Sequence, residues 1–182
     1  RQVLARPLIM NPLIKVPLRY GLLAGTVGSI LLIALYYLGR HPLLIPPYAD
    51  FRIILFVVFI LFTLRELRNY HYNGILYFWQ GIIASFIFTV CFAVVTGIFI
   101  VSFMQLVPAF LSDYVSLTLV QLRTLPEEAI EKIGKDVYER NIEMLPSTNG
   151  VMLGLTYVFQ SFVISLFISI ILSVTLRRQL KP

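Results

Sequence analysis

Ionisable residues in this chain are gathered into short clusters, and long runs of apolar side chains separate them. A helix that spans a bilayer needs about 20 such residues, each adding about 1.5 Å of rise. The run from Tyr20 to Leu38 meets that requirement between Arg19 and Arg40. The run from Phe78 to Val107 holds no Asp, Glu, Lys or Arg over 30 residues. At about 45 Å of helix it predicts a tilted span or one that projects into water. Another run, Val151 to Leu176, is followed at once by Arg177, Arg178 and Lys181. The run over Phe51–Leu67 is weaker, because only the 12 residues 53–64 lie between Arg52 and Arg65. Both arginines can reach outward along their stems at opposite ends. That predicts a fourth crossing, with a re-entrant or interfacial helix as the alternative.

None of these runs alternates as the strands of a membrane barrel do, and an open sheet cannot satisfy its backbone in lipid. The predicted architecture is therefore all-α: a single membrane domain over residues 1–182, built as an integral membrane bundle of four transmembrane helices. The spans fall at about 20–38, 51–67, 78–107 and 151–176, and an amphipathic, extramembrane helical loop over 108–150 joins spans three and four. The first run is too long for the apolar core of a signal peptide and no A-x-A-like cleavage site follows it, so it is read as retained. The chain begins at Arg1 rather than Met, and some N-terminal sequence is expected to be missing or removed.

Within the loop, Thr124 and Glu127 have the T-x-x-E spacing of a capping box, with Pro126 tolerated in the first turn. Ile130, Ile133 and Val137 recur at helical spacing beyond it, and Glu128–Lys132, Glu131–Lys135 and Asp136–Arg140 are favourable i,i+4 pairs. Pro146, Ser147, Asn149 and Gly150 end this helix and turn the chain back. Upstream, Asp113 to Leu122 is open between alternation and a continuing helix. The apolar stripe is expected to pack on the protein's own outer surface, with a partner protein as the alternative.

Composition agrees with a membrane protein. The chain is 58% hydrophobic and 13% charged, with a mean hydropathy of +0.85, against about 45–50% and about 25% in soluble domains. The net charge of +6 is unevenly placed. With both termini in the cytoplasm, the short inner segments hold nine basic residues and the first outer loop only Arg40 and Arg52. The positive-inside rule therefore favours both termini inside. The loop over 108–150 then faces outward with seven acids against four bases. Basic residues that flank spans do not form a nucleic-acid surface. Arg65, Arg68, Arg177 and Arg178 are read as a lipid-headgroup rim.

Small residues are spaced by four within the apolar runs: Gly81, Ser85, Thr89, Ala93 and Gly97, then Ser161, Ser165, Ser169 and Ser173, with Gly21 and Gly25 in the first. Such rows let helix backbones approach closely. They predict packing within the bundle, with contact to another subunit or a serine-lined solute path as alternatives. Gln160 lies deep enough to need an interhelical partner.

Chemistry-bearing residues are scarce. His41 and His71 fall in loops on opposite sides of the predicted membrane, and Cys91, the only cysteine, lies mid-span. No phosphate loop, nucleophile elbow or zinc spacing is present. No catalytic, cofactor-binding or metal-binding residue is assigned. The expected partners are membrane lipids and other membrane subunits or a second copy, without nucleic acid.

The stretch Arg65-Glu66-Leu67-Arg68-Asn69-Tyr70, followed by Asn73-Gly74-Ile75-Leu76-Tyr77-Phe78-Trp79-Gln80-Gly81, resembles a bacterial membrane family known only as domain of unknown function 4199. Tyr20-Gly21-Leu22, the acidic outer helix and the basic tail follow in the same order. The resemblance covers roughly Asn11 to Arg178. It implies a four-span inner-membrane protein of Gram-negative bacteria and brings no activity or catalytic residue. Together these readings predict a non-enzymatic, multi-pass accessory or structural subunit of a larger inner-membrane complex. The alternatives are an oligomeric module conducting a small solute or ion, and a lipid-binding protein.

Overall fold

A computed structural model describes residues 11–177, and every regular element among them is helical. Helix α1 spans Pro12–Tyr37 and α2 spans Phe51–Glu66, which continues into a π-helical turn at Leu67–His71. Then come α3 (Phe78–Leu106), α4 (Pro108–Arg123), α5 (Glu127–Ile133), α6 (Lys135–Met144) and α7 (Gly150–Leu176). Three of these, α1, α3 and α7, are long and apolar enough to cross a membrane. At 16 residues, or about 24 Å, α2 falls short of that length.

Local chemistry sets the helix ends. Asn11 Oδ1 accepts from the Leu13 N–H at 3.0 Å, and Pro12 occupies the first helical position, so α1 starts eight residues before its charge-free run. It stops at Gly39, whose φ of +78° lets Arg40 N–H reach Leu35 O and Gly39 N–H reach Tyr36 O, both at 3.0 Å. Gln80 Oε1 accepts from the Tyr77 N–H at 3.0 Å at the head of α3. Asn149 Oδ1 does the same for Met152 N–H at 2.8 Å at the head of α7.

The loop over 108–150 holds three helices. Thr124 does not open a capping box: its Oγ1 donates to Val120 O and Gln121 O, both at 3.0 Å. The threonine thus closes α4, and Pro126 heads α5 without a side-chain cap. The physical reason is that a threonine hydroxyl satisfies free carbonyls at a helix end as readily as free N–H groups at a start. Gly134, at φ +94°, then separates α5 from α6 and puts Glu131 and Lys135 on different helices. The stretch 113–122 is helical throughout.

The chain divides into two compact units. In the first, described residues up to Gly28, Phe51–Val95 and those from Gln160 onward, Phe56 is fully buried with its ring centroid 5.8 Å from Phe88 and 4.7 Å from Phe92. Ile60, Leu64, Leu67 and Ala84 complete that core. In the second, Ser29–Asp50 and Thr96–Phe159, Phe110 is buried among Tyr36, His41 and Phe103. Of the side chains in α4, α5 and α6, only Phe110 is buried.

Candidate functional site

The interior of the first unit is polar along one line. On α3, Ser85 and Thr89 are buried, and facing them on α7 are Ser161, Ser165, Ser169 and Ser173, all 0–5% exposed. Thr89 Oγ1 donates to Ser85 O at 2.8 Å and is hydrogen-bonded to Ser165 Oγ, which lies 3.4 Å from Ser169 Oγ. With the Thr89 proton on the Ser85 carbonyl, the hydroxyl of Ser165 donates to Thr89 and that of Ser169 to Ser165. The chain of donors thus has one direction. Ser85 Oγ and Ser173 Oγ are buried without a partner.

A cation lies at one end of this line. The Arg52 side chain, on the first turn of α2, is buried, and its Nη1 and Nη2 donate at 3.0 Å to Ser161 Oγ and Gln160 Oε1. The expectation that Arg52 reaches outward into water is therefore wrong: the guanidinium turns into the bundle because α7 offers two acceptors there. A planar fork suits two neighbouring acceptors better than a point charge would. Gln160 has the interhelical partner expected of it, although its side chain is exposed on α7.

The small residues mark close approaches. A Cβ built on Gly81 would stand 2.9 Å from Ser173 Cβ, and one on Gly21 would stand 2.8 Å from the Phe88 carbonyl oxygen and 2.7 Å from Cys91 Cβ. One on Gly25 would stand 2.8 Å from Val95 Cβ. Gly81, Ser85 and Thr89 thus lie at the contact of α3 with α7, and Gly21 and Gly25 at that of α1 with α3. Ala93 is buried in the same unit. In the second unit Gly97 faces Val158 at 3.0 Å by the same construction.

At the far end of α2 the carboxylate of Glu66 gathers groups that the sequence pattern left separate. Its Oε2 accepts from Arg19 Nη2 at 2.5 Å and from Tyr20 OH at 2.8 Å, and His71 Nε2 lies 3.8 Å from Oε1. The π-helical turn follows directly, where Gly74 N–H reaches Arg68 O at 2.7 Å. Such turns recur at functional positions. Arg68 Nη1 lies 3.5 Å from Leu176 O at the end of α7, which brings it to the side of Arg177. Arg65 is exposed and makes no such contact, and Arg178 lies outside the described residues.

In the second unit His41 is buried, with Nε2 3.0 Å from Phe110 O and Nδ1 without a partner. Burial pulls its pKa below the usual histidine value, opposed by the Phe110 carbonyl and by Asp113. Tyr36 OH donates to Asp113 Oδ2 at 2.8 Å beside it. Among the described residues no group of three or more His, Cys, Asp or Glu side chains could hold a metal ion.

The family model described as "Protein of unknown function (DUF4199)" matches residues 19–178. The match takes in Arg52, the hydroxyl line and the Glu66 cluster. No curated protein and no solved structure matches the chain.

Proposed function

The chain belongs to the DUF4199 family of proteins of unknown function, and from that premise we propose that it is a non-enzymatic accessory or structural subunit of a larger bacterial inner-membrane complex. The observation that carries the reading is the outer segment α4–α6, which buries only Phe110. Val120, Val137 and Met144 are 60%, 50% and 54% exposed on it. Apolar side chains held on short, charged helices outside the spans form a surface for another protein rather than a core of their own.

The proposed topology has four crossings with both termini in the cytoplasm. With the π-helical turn, α2 runs unbroken from Phe51 to His71, about 31 Å of chain at helical rise. Its start lies beside Gln160 of α7. The charge asymmetry of the short segments supports this orientation. Conduction along the serine line in an oligomer is the weaker alternative, because those hydroxyls are already packed between helices of one chain.

A photo-crosslinking residue placed at Val137 and, separately, at Met144 tests the subunit reading in native membranes. Both positions are expected to join to the same distinct chain. Adducts to lipid alone, or none, would overturn it.

A further inference from the structure

Between α3 and α7 in the first unit lies a cleft of about 290 Å³. The rings of Phe86 and Phe162 touch each other, with centroids 5.9 Å apart, and together line one part of it. Thr89, Ser165 and Ser169 form its floor, and Leu166 stands 57% exposed at its mouth. The floor hydroxyls are joined to one another or to the backbone, so the cleft offers hydrocarbon walls and little free polarity. A cleft of that chemistry on the lipid side of two membrane-crossing helices takes a chain of methylenes.

The ends of the same two helices supply the rest of the ligand. Arg177 directly follows Leu176, the last residue of α7, eleven residues or about three turns of chain beyond Leu166. Ser169 and Leu166 lie about 12 and 16 Å from it along the helix axis, and one leaflet of hydrocarbon is about 15 Å deep. On α3, Trp79 precedes Phe86 by seven residues, about two turns, and is 54% exposed. Indole rings favour the headgroup level. Arg68 adds a second guanidinium at the end of α7.

We propose that this cleft seats one acyl chain of an anionic phospholipid whose phosphate is held at Arg177, with Trp79 at the glycerol level. The proposal requires only that α3 and α7 cross the membrane, so it stands or falls apart from the subunit reading.

The only tryptophan of the chain is a built-in reporter. The full chain is reconstituted in bilayers containing phosphatidylglycerol or phosphatidylcholine with brominated acyl chains, which quench indole fluorescence on contact. Competition between the two lipids gives their relative association at Trp79. The expected preference for phosphatidylglycerol is about three- to five-fold, the effect of a cation or two near the headgroups. Arg177→Gln is expected to reduce it at least two-fold, and Lys15→Gln, at an exposed base of α1, to leave it unchanged. Val163→Phe, at a cleft-wall position that is 42% exposed, is expected to fill the cleft and remove the preference without disturbing the core. Equal quenching by both lipids in the unaltered chain would overturn the proposal. So would an equal loss in Lys15→Gln, which marks diffuse attraction to a basic surface, or a preference that survives Val163→Phe. Failure of either lipid to quench Trp79 would place protein over the cleft and overturn it too.

Discussion

The guanidinium of Arg52 and the side-chain amide of Gln160 meet at 3.0 Å, although 108 residues separate them in the chain. A charge is therefore held inside the helix bundle at the start of α2. Transfer of a cation from water is costly, and hydrogen bonds to charged groups are worth more than neutral ones, about 1.5–3 kcal/mol each. Gln160→Leu removes one such bond and is expected to lower unfolding free energy in detergent micelles by about that amount. Phe159→Leu, next to it and likewise exposed but outside this bond, is expected to change it by less than about 0.5 kcal/mol. Equal effects would mean that the amide contributes nothing specific.

Two glycines of the close-approach rows make a graded test. A Cβ on Gly21 meets a backbone carbonyl at 2.8 Å, whereas one on Gly97 meets only Val158 Cγ2 at 3.0 Å. A backbone cannot move aside as a side chain can, so Gly21→Ala is expected to cost about 1–3 kcal/mol. At Gly97 the gain in helix propensity, about 1 kcal/mol, offsets a small rearrangement. Thermal unfolding of the two variants should therefore show a large drop for the first and little change for the second.

Acidification should loosen the second unit through His41. Its folded pKa lies below the unfolded value near 6.5 because burial disfavours the charged ring, so the unfolded chain takes up the proton more readily. The stability contributed by neutral His41 is fully present above about pH 6.5. It is lost as pH falls below that value and on through the lower folded pKa. Melting temperature measured from pH 7.5 down to 5 should decline, and His41→Gln should flatten the decline. A variant with the same slope as the unaltered chain would assign the effect to other groups.

Single cysteines in a Cys91→Ser background test the crossing of α2. Leu38, Asn69 and Ser147 follow α1, α2 and α6, and all three are exposed. With four crossings, Leu38→Cys and Ser147→Cys should react with a membrane-impermeant maleimide on intact spheroplasts, and Asn69→Cys only after permeabilisation. Leu38→Cys and Asn69→Cys reacting alike would mean that α2 does not cross.

Much of this fold can be read along the chain, and what cannot has an identifiable cause. Long charge-free runs mark α1, α3 and α7 because lipid excludes charge over a fixed thickness. The need of Gln160 for a partner follows from its depth. Which partner it finds does not, because an arginine at the edge of an apolar run looks the same whether it turns to water or inward. The Tyr20–Glu66 bond is equally silent, since a hydroxyl and a carboxylate 46 residues apart share no local pattern. That bond does join two stretches carrying the family resemblance, Tyr20-Gly21-Leu22 and Arg65–Tyr70. The segment α4–α6 misled at Thr124, where one hydroxyl suits either end of a helix, and at Gly134, whose positive φ breaks a stripe that periodicity alone would continue.

The subunit reading is tested most directly by the mass of the particle that the protein occupies when membranes are opened with a mild detergent. The chain alone weighs 20.8 kDa. Native mass measurement on protein drawn from its own membrane at its own expression level should find it in a larger particle of fixed composition. At least one different chain should be present at constant ratio. A particle holding a single copy of this chain with bound lipid, recovered under conditions that keep other membrane complexes intact, would contradict the subunit reading.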